Sequence, residues 1–146
     1  MAYYMLHTCN MIDKLELGMI DVLSFILSAV CHDIGHDGYT NSYHVNAITM
    51  RAINSNDVSV QETFHAAEFF RILNQPEYNF LEEMTKDQFK VFRKTVIGLI
   101  LATDMARHVA DLSAFNAICG EYEIKNGNNL EKLFDNEDEI SIAKNK

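Results

Sequence analysis

Residues 19–38 read MIDVLSFILSAVCHDIGHDG. Up to Cys31 this run is almost wholly apolar, broken only by Asp21, Ser24 and Ser28. Its apolar side chains recur at helical spacing on two stripes. Ile20, Leu23, Leu27 and Val30 form one; Val22, Ile26 and Ala29 form the other and lead to Asp33. A helix apolar on most of its circumference is a central one. The run therefore predicts a buried helix over Met19 to Asp33, ended by a glycine-flanked turn from Gly35 to Asn41. At its end stand His32 and Asp33, with His36 just beyond. Imidazole and carboxylate side by side are costly to bury without compensation. A divalent cation is the usual compensation, and this donor pair suits Zn, Mn, Fe or Mg. The plainer alternative is that Asp33 merely orients His32 through a hydrogen bond.

Outward from this run, the rest of the chain also reads as helix. Ala2 to Met11 is apolar. His44 to Ile53 fits a helix that stops near Asn54 to Asp57. Ser59 to Glu62 fits a capping box. It would open a helix through Leu73 with Val60, Phe64, Ala67 and Phe70 on one face. Asn74-Gln75-Pro76 stops it. Thr85 to Gln88 fits a second capping box, opening a long helix with Phe89, Phe92, Val96, Ile100 and Thr103 on one stripe. Residues 1–120 read as one all-α unit. Residues 121–146, with Lys125 to Asn129 and the acids between Glu131 and Glu139, read as a loop and a mobile acidic end.

Composition narrows the function classes. With 146 residues the chain is the size of one domain, and 48% apolar content allows a real core. A net charge of −9 argues against a nucleic-acid surface, which needs a basic patch. An anionic substrate would need local positive charge here, such as a metal. The three cysteines are scattered and form no CxxC pair, so a zinc knuckle or disulfide scaffold is not expected. A reducing compartment, the cytoplasm, is the default. The longest apolar run is too short to span a bilayer.

The polar residues on helix ends and inward faces are His32-Asp33, His36, Glu62 with His65, and Thr103-Asp104. Each has a bland reading. Glu62 fits the N3 position of a capping box, His65 fits a satisfied core histidine, and Thr103 fits a hydroxyl bonded back to its own helix. Together they suggest helices converging on one metal-lined pocket.

Three segments carry a resemblance. They are His32 to Asn41 (HDIGHDGYTN), Asn56 to Glu62 (NDVSVQE) and Ile100 to Met105 (ILATDM) with His108. In order and spacing they resemble the class I 3′,5′-cyclic nucleotide phosphodiesterases, members of the HD-domain metal hydrolases. The likeness runs from about Met5 to about Ile118. It implies the N-terminal and central part of an all-α catalytic domain that hydrolyses cAMP or cGMP to the 5′-monophosphate, in cyclic-nucleotide signal transduction. It implies two divalent cations, zinc first and magnesium or manganese second. The family residues matching His32 and Asp33 bind the first, and the Asp bridges to the second. Those matching His36, Glu62 and Thr103 hold waters on the second. The implied partner is a small cyclic nucleotide; nucleic acid and a membrane segment are not expected, and a homodimer is compatible.

The chain also departs from the family pattern. The family's upstream pair of histidines four apart, which supplies the general acid and a ligand, has no counterpart; His7 is the only histidine before His32. The later Asp ligand and the purine-clamping Gln have none either. Asp37 stands where the family usually has Pro, and Phe64 where it often has His. The expectation is an internal piece of a phosphodiesterase domain, inactive by itself. A catalytically inactive relic serving as a binding module is the alternative. Another HD-type phosphohydrolase is disfavoured by the second and third segments.

Overall fold

The computed structural model describes residues 2–8 and 10–126. Its elements in chain order are α1 (Ala2–Thr8), α2 (Met11–Lys14), α3 (Met19–Cys31), α4 (Asn41–Asn46), α5 (Met50–Ser55) and α6 (Val60–Leu73). A 3₁₀ turn (Pro76–Tyr78), α7 (Lys86–Leu101) and α8 (Met105–Asn126) follow. No strand occurs among the described residues, in accord with the all-α expectation.

The core forms where α3, α6 and α7 meet. Phe92, Val96 and Ile100 of α7 have no exposed surface. They pack with Ala66, Phe69, Phe70 and Leu73 of α6, and Leu23, Leu27 and Cys31 of α3 close over them. The spacing 92–96–100 places these side chains on one helix face, as the sequence predicts. Thr85 starts α7 with both halves of its capping box, Gln88 N–H to Thr85 Oγ1 at 3.3 Å and Thr85 N–H to Gln88 Oε1 at 3.0 Å.

Several expectations are corrected. α3 is not buried all round: α1, α6 and α7 pack on it, while Met19 and Val30 stay 88% and 74% exposed. It ends at Cys31, so Asp33 lies in the following turn and is exposed. The first helix breaks at Asn10, in the left-handed region at φ 53°. The helix expected over His44 to Ile53 is two, α4 and α5. Ile48 turns left-handed (φ 49°), and the Thr49 hydroxyl accepts from Ala52 N–H, capping a new start. On α6 the buried face is Val60, Gln61, His65, Ala66, Phe69, Phe70 and Leu73, whereas Ala67 is exposed. Both apolar spacings on this helix are helical; Phe64 is taken up elsewhere, as shown below. α8 passes the boundary expected at residue 120 and runs to Asn126. A helix-interior glycine costs only ~1 kcal/mol, and Glu121 to Lys125 contains good helix formers. The expected loop and acidic end at 127–146 lie outside the described residues. No described helix is long and apolar enough to cross a membrane.

Candidate functional site

The chain leaves α3 through a tight turn in which Ile34 N–H donates to Cys31 O and His36 N–H to Asp33 O, both at 3.1 Å. Gly35 makes this possible with φ +69°; a Cβ there would meet Phe64 Cε1 at 3.0 Å. The backbone requires glycine, and an added Cβ would also press on the Phe64 ring.

The turn presents His32, Asp33 and His36, and hydrogen bonds decide what each ring offers. His32 Nδ1 lies 3.0 Å from Ala29 O, so that nitrogen carries the proton. Nε2, 3.1 Å from Asp33 Oδ2, then faces a carboxylate with its lone pair. Two acceptors this close require a proton or a cation between them. His65 is 1% exposed, and its Nδ1 donates to Ile34 O at 2.7 Å. Its Nε2 is thereby left as an acceptor, 3.9 Å from Asp33 Oδ1. Burial pulls the His65 pKa below its ordinary value, although the Ile34 hydrogen bond and the nearby Asp33 charge oppose this. The neutral, ligand-competent imidazole is favoured. His36 differs. Its Nδ1 accepts from Gly38 N–H at 2.9 Å, so the neutral ring carries its proton on Nε2. That nitrogen is a donor, suited to an oxygen beside a cation. Asp33, His36 and His65 bring one nitrogen or oxygen each to within 4.8 Å of one another, Asp33 and His65 with lone pairs and His36 with a donor for a cation-bound oxygen. Asp33 and His65, with His32 beside Asp33, fit the donor chemistry of a divalent cation.

Glu62 stands on the first turn of α6, half-buried, and accepts from Asn41 Nδ2 at 2.9 Å. Asn41 Oδ1 in turn accepts from Gln61 N–H at 2.8 Å, tying α4 to α6. The capping box expected here does not form. Ser59 is left-handed (φ 43°), and its hydroxyl donates to the buried Asp104 Oδ2 at 2.7 Å instead. The stronger tertiary acceptor takes the hydroxyl, and Glu62 is free to face the site rather than its own backbone.

Asp33, His36, Glu62, His65 and Asp104 line one cleft of about 930 Å³, of small-molecule size. His32 and Thr103 line a separate cavity, not this cleft. Thr103 therefore does not face inward beside Asp33 as expected. α7 ends at Leu101, the stripe is lost there, and Thr103 is exposed with its hydroxyl donated to Ile100 O at 2.7 Å. Its oxygen lone pairs remain available.

The sequence places His65 among the groups converging on the pocket without giving it a role there, and it does not reveal the polar cluster behind the turn. Asp37 Oδ1 accepts from Gln61 Nε2 at 2.8 Å, and from Tyr39 N–H and His44 Nε2 at 3.3 Å each. Slight burial raises the Asp37 pKa. Hydrogen bonds from Gln61, Tyr39 and His44 and the Arg51 charge outweigh it and hold the carboxyl down at about 2. The sequence signal was Asp37 itself, a charge where the family pattern has none.

Residues 1–144 match the family described as 3′,5′-cyclic nucleotide phosphodiesterase. The chain belongs to this family. It is 38% identical over 133 residues to the human "High affinity cGMP-specific 3′,5′-cyclic phosphodiesterase 9A", covering 91% of this chain and 22% of that protein. It is 42% identical over 96 residues to "3′,5′-cyclic-nucleotide phosphodiesterase regA" of Dictyostelium discoideum, covering 66% of this chain and 12% of that one. Among solved structures, the phosphodiesterase domain of Salpingoeca rosetta rhodopsin phosphodiesterase superposes with a TM-score of 0.69 at 35% identity. That match covers 79% of this chain and 36% of the other. The chain thus spans about a fifth of the human relative's length.

Proposed function

We propose that this chain is part of a catalytic domain hydrolysing 3′,5′-cyclic nucleotides, cAMP or cGMP, to nucleoside 5′-monophosphates. The observation that carries this reading is the gathering of Asp33 and His36, on the turn after α3, with His65 of α6 about one point, where backbone hydrogen bonds orient both rings. The names of its relatives support the substrate class. One relative is cGMP-specific, and the Plasmodium falciparum "Dual 3′,5′-cyclic-AMP and -GMP phosphodiesterase beta" is 39% identical over 106 residues.

His32 and Asp33 would hold a first cation, read as zinc, and Asp33 would also serve a second, read as magnesium or manganese. His65 Nε2 is a further lone pair beside Asp33. Two such cations would supply Lewis-acid polarisation of the phosphate and a lowered pKa for an attacking water. The protein's part is orientation. His36 holds a proton on Nε2 where a phosphate or water oxygen would lie. Glu62, fixed by Asn41, accepts a hydrogen bond from water and aligns its lone pair. Thr103, which lines the cavity beside His32, would offer its oxygen to a water there. The cytoplasm is the proposed location, from the scattered cysteines.

The test is 5′-monophosphate release by the human relative's domain with this chain in place of its matching residues, with magnesium present. Turnover of cAMP or cGMP is expected there, and none by the 146-residue chain alone. Asp33→Asn should abolish turnover. Glu62→Ala and Thr103→Ala should lower it less, on the order of 10–100-fold, since they act beside the ligands. Normal turnover by Asp33→Asn would refute the assignment.

A further inference from the structure

The two departures from the family pattern, Asp37 and Phe64, touch the same side chain. Arg51, on α5, lies with its guanidinium 3.6 Å over the centre of the Phe64 ring. One nitrogen stands 3.4 Å from Asp37 Oδ2 and also donates to Gln61 Oε1. The other donates to Gly35 O at 3.0 Å. Arg51 touches no residue of the Asp33–His36–His65 group, yet it touches their neighbours on every side. Gly35 and Asp37 bracket His36. Gln61 precedes Glu62, and Phe64 precedes His65.

We propose that Arg51, paired with Asp37 and stacked on Phe64, is a positioning residue that locks the Gly35 turn against α6 and so sets the spacing of Asp33 and His36 from His65. The inference rests on the metal reading of that group. Its physical basis is the shape of guanidinium. A planar fork donates in two directions while its face lies on an aromatic ring, which a lysine ammonium cannot do. The Phe64 ring lies under that cation and against Gly35, where an added Cβ would come to 3.0 Å from its Cε1. Turn and helix are therefore clamped by stacking, hydrogen bonding and charge at once. Buried Gln61 completes the lock, donating to Asp37 Oδ1 and Tyr39 O at 2.8 Å each.

A merely structural salt bridge would change stability alone, so two other readouts decide. The first is Mn²⁺ binding to the full chain, followed by the electron paramagnetic resonance of free Mn²⁺, with Asp33→Ala as control. The second is hydrogen exchange of the His36 and Gly38 amides without metal. Arg51→Met and Arg51→Lys should each weaken Mn²⁺ binding ~10–100-fold, the usual effect of losing a group that orients ligands. Both should speed exchange at His36 and Gly38 at least ~10-fold, with circular dichroism unchanged. Wild-type binding and exchange in Arg51→Lys would overturn the proposal, since charge alone would then suffice. If Arg51→Met unfolds, Arg51→Lys decides by the same criteria. Faster exchange in the variants of a chain that binds no Mn²⁺, or whose binding ignores Asp33→Ala, would refute the metal reading and leave the clamp supported.

Discussion

Gly35→Ala is the sharpest probe of the turn that carries His32, Asp33 and His36. Residue 35 adopts φ +69°. A Cβ in that left-handed conformation costs ~1–2 kcal/mol. The added methyl would sit 3.0 Å from Phe64 Cε1, a tight contact that the ring must relieve by a few tenths of an ångström, and 3.5 Å from Cζ, an ordinary contact. A free ring would tilt away cheaply. This one carries the Arg51 guanidinium on its face, so tilting also disturbs the hydrogen bond to Gly35 O. Overpacking of that kind costs ~1–3 kcal/mol. The unfolded chain loses freedom with alanine, which offsets ~0.4–1 kcal/mol. The net expectation is about 3 kcal/mol of destabilisation in urea titrations, and a Tm drop on the order of 10 °C. In a Phe64→Ala background only the backbone part should remain, so the two changes should be non-additive by ~1–3 kcal/mol. Wild-type stability of Gly35→Ala, within ~0.5 kcal/mol, would refute this account of the turn.

Other predictions follow from burial and hydrogen bonding. Phe92→Ala removes a wholly buried ring that contacts Phe69, Phe70 and Phe89 and should cost ~3–5 kcal/mol in urea unfolding; a loss below ~1.5 would place the core elsewhere. Thr85→Ala should cost ~1 kcal/mol through its lost cap, whereas Gln88→Ala loses only the reciprocal half. His65 has a folded pKa below its ordinary ~6.5, so below that pH the unfolded chain takes up a proton the folded one resists. Stability should rise with pH through the window just under 6.5 and fall as acid enters it. His65→Gln should flatten that slope in urea midpoints taken between pH 5 and 7, and an unchanged slope would assign it to other groups.

The helices of the core were legible because their information is periodic. The stripe Phe92, Val96, Ile100 needs only a 3.6-residue repeat, and the Thr85 and Gln88 cap needs only three-residue spacing. Where the reading failed, a distant partner overrode a local pattern. Ser59 has the letters of a cap, yet its hydroxyl goes to Asp104, 45 residues away. Thr49 and Ile48 split one periodic run into α4 and α5, because a capping hydroxyl can restart a helix that periodicity alone would continue. Thr103 holds its place on the apolar stripe only if α7 continues to it, and the helix stops two residues before it.

The candidate site divides along the same line. His32, Asp33, His36 and Glu62 announce themselves by residue type beside an apolar run, since few other reasons place such groups there. What holds them was silent. Arg51 reads in sequence as one more polar residue on a short helix, and its contacts reach back 16 residues to Gly35 and forward 10 to Gln61. Asp37 and Phe64 looked like independent departures, one electrostatic and one apolar. A guanidinium is the side chain that reconciles them, because its edge seeks carboxylate and carbonyl oxygens while its face seeks an aromatic ring. The two departures are thus one change made in two places, and they should be tolerated together and penalised apart. Asp37→Pro alone, with Arg51 and Phe64 retained, leaves a half-buried cation facing Gln61 without its counter-ion. It should lower Mn²⁺ affinity more than Asp37→Pro made together with Arg51→Leu. Equal losses in the single and double variants would show that Asp37 acts without Arg51.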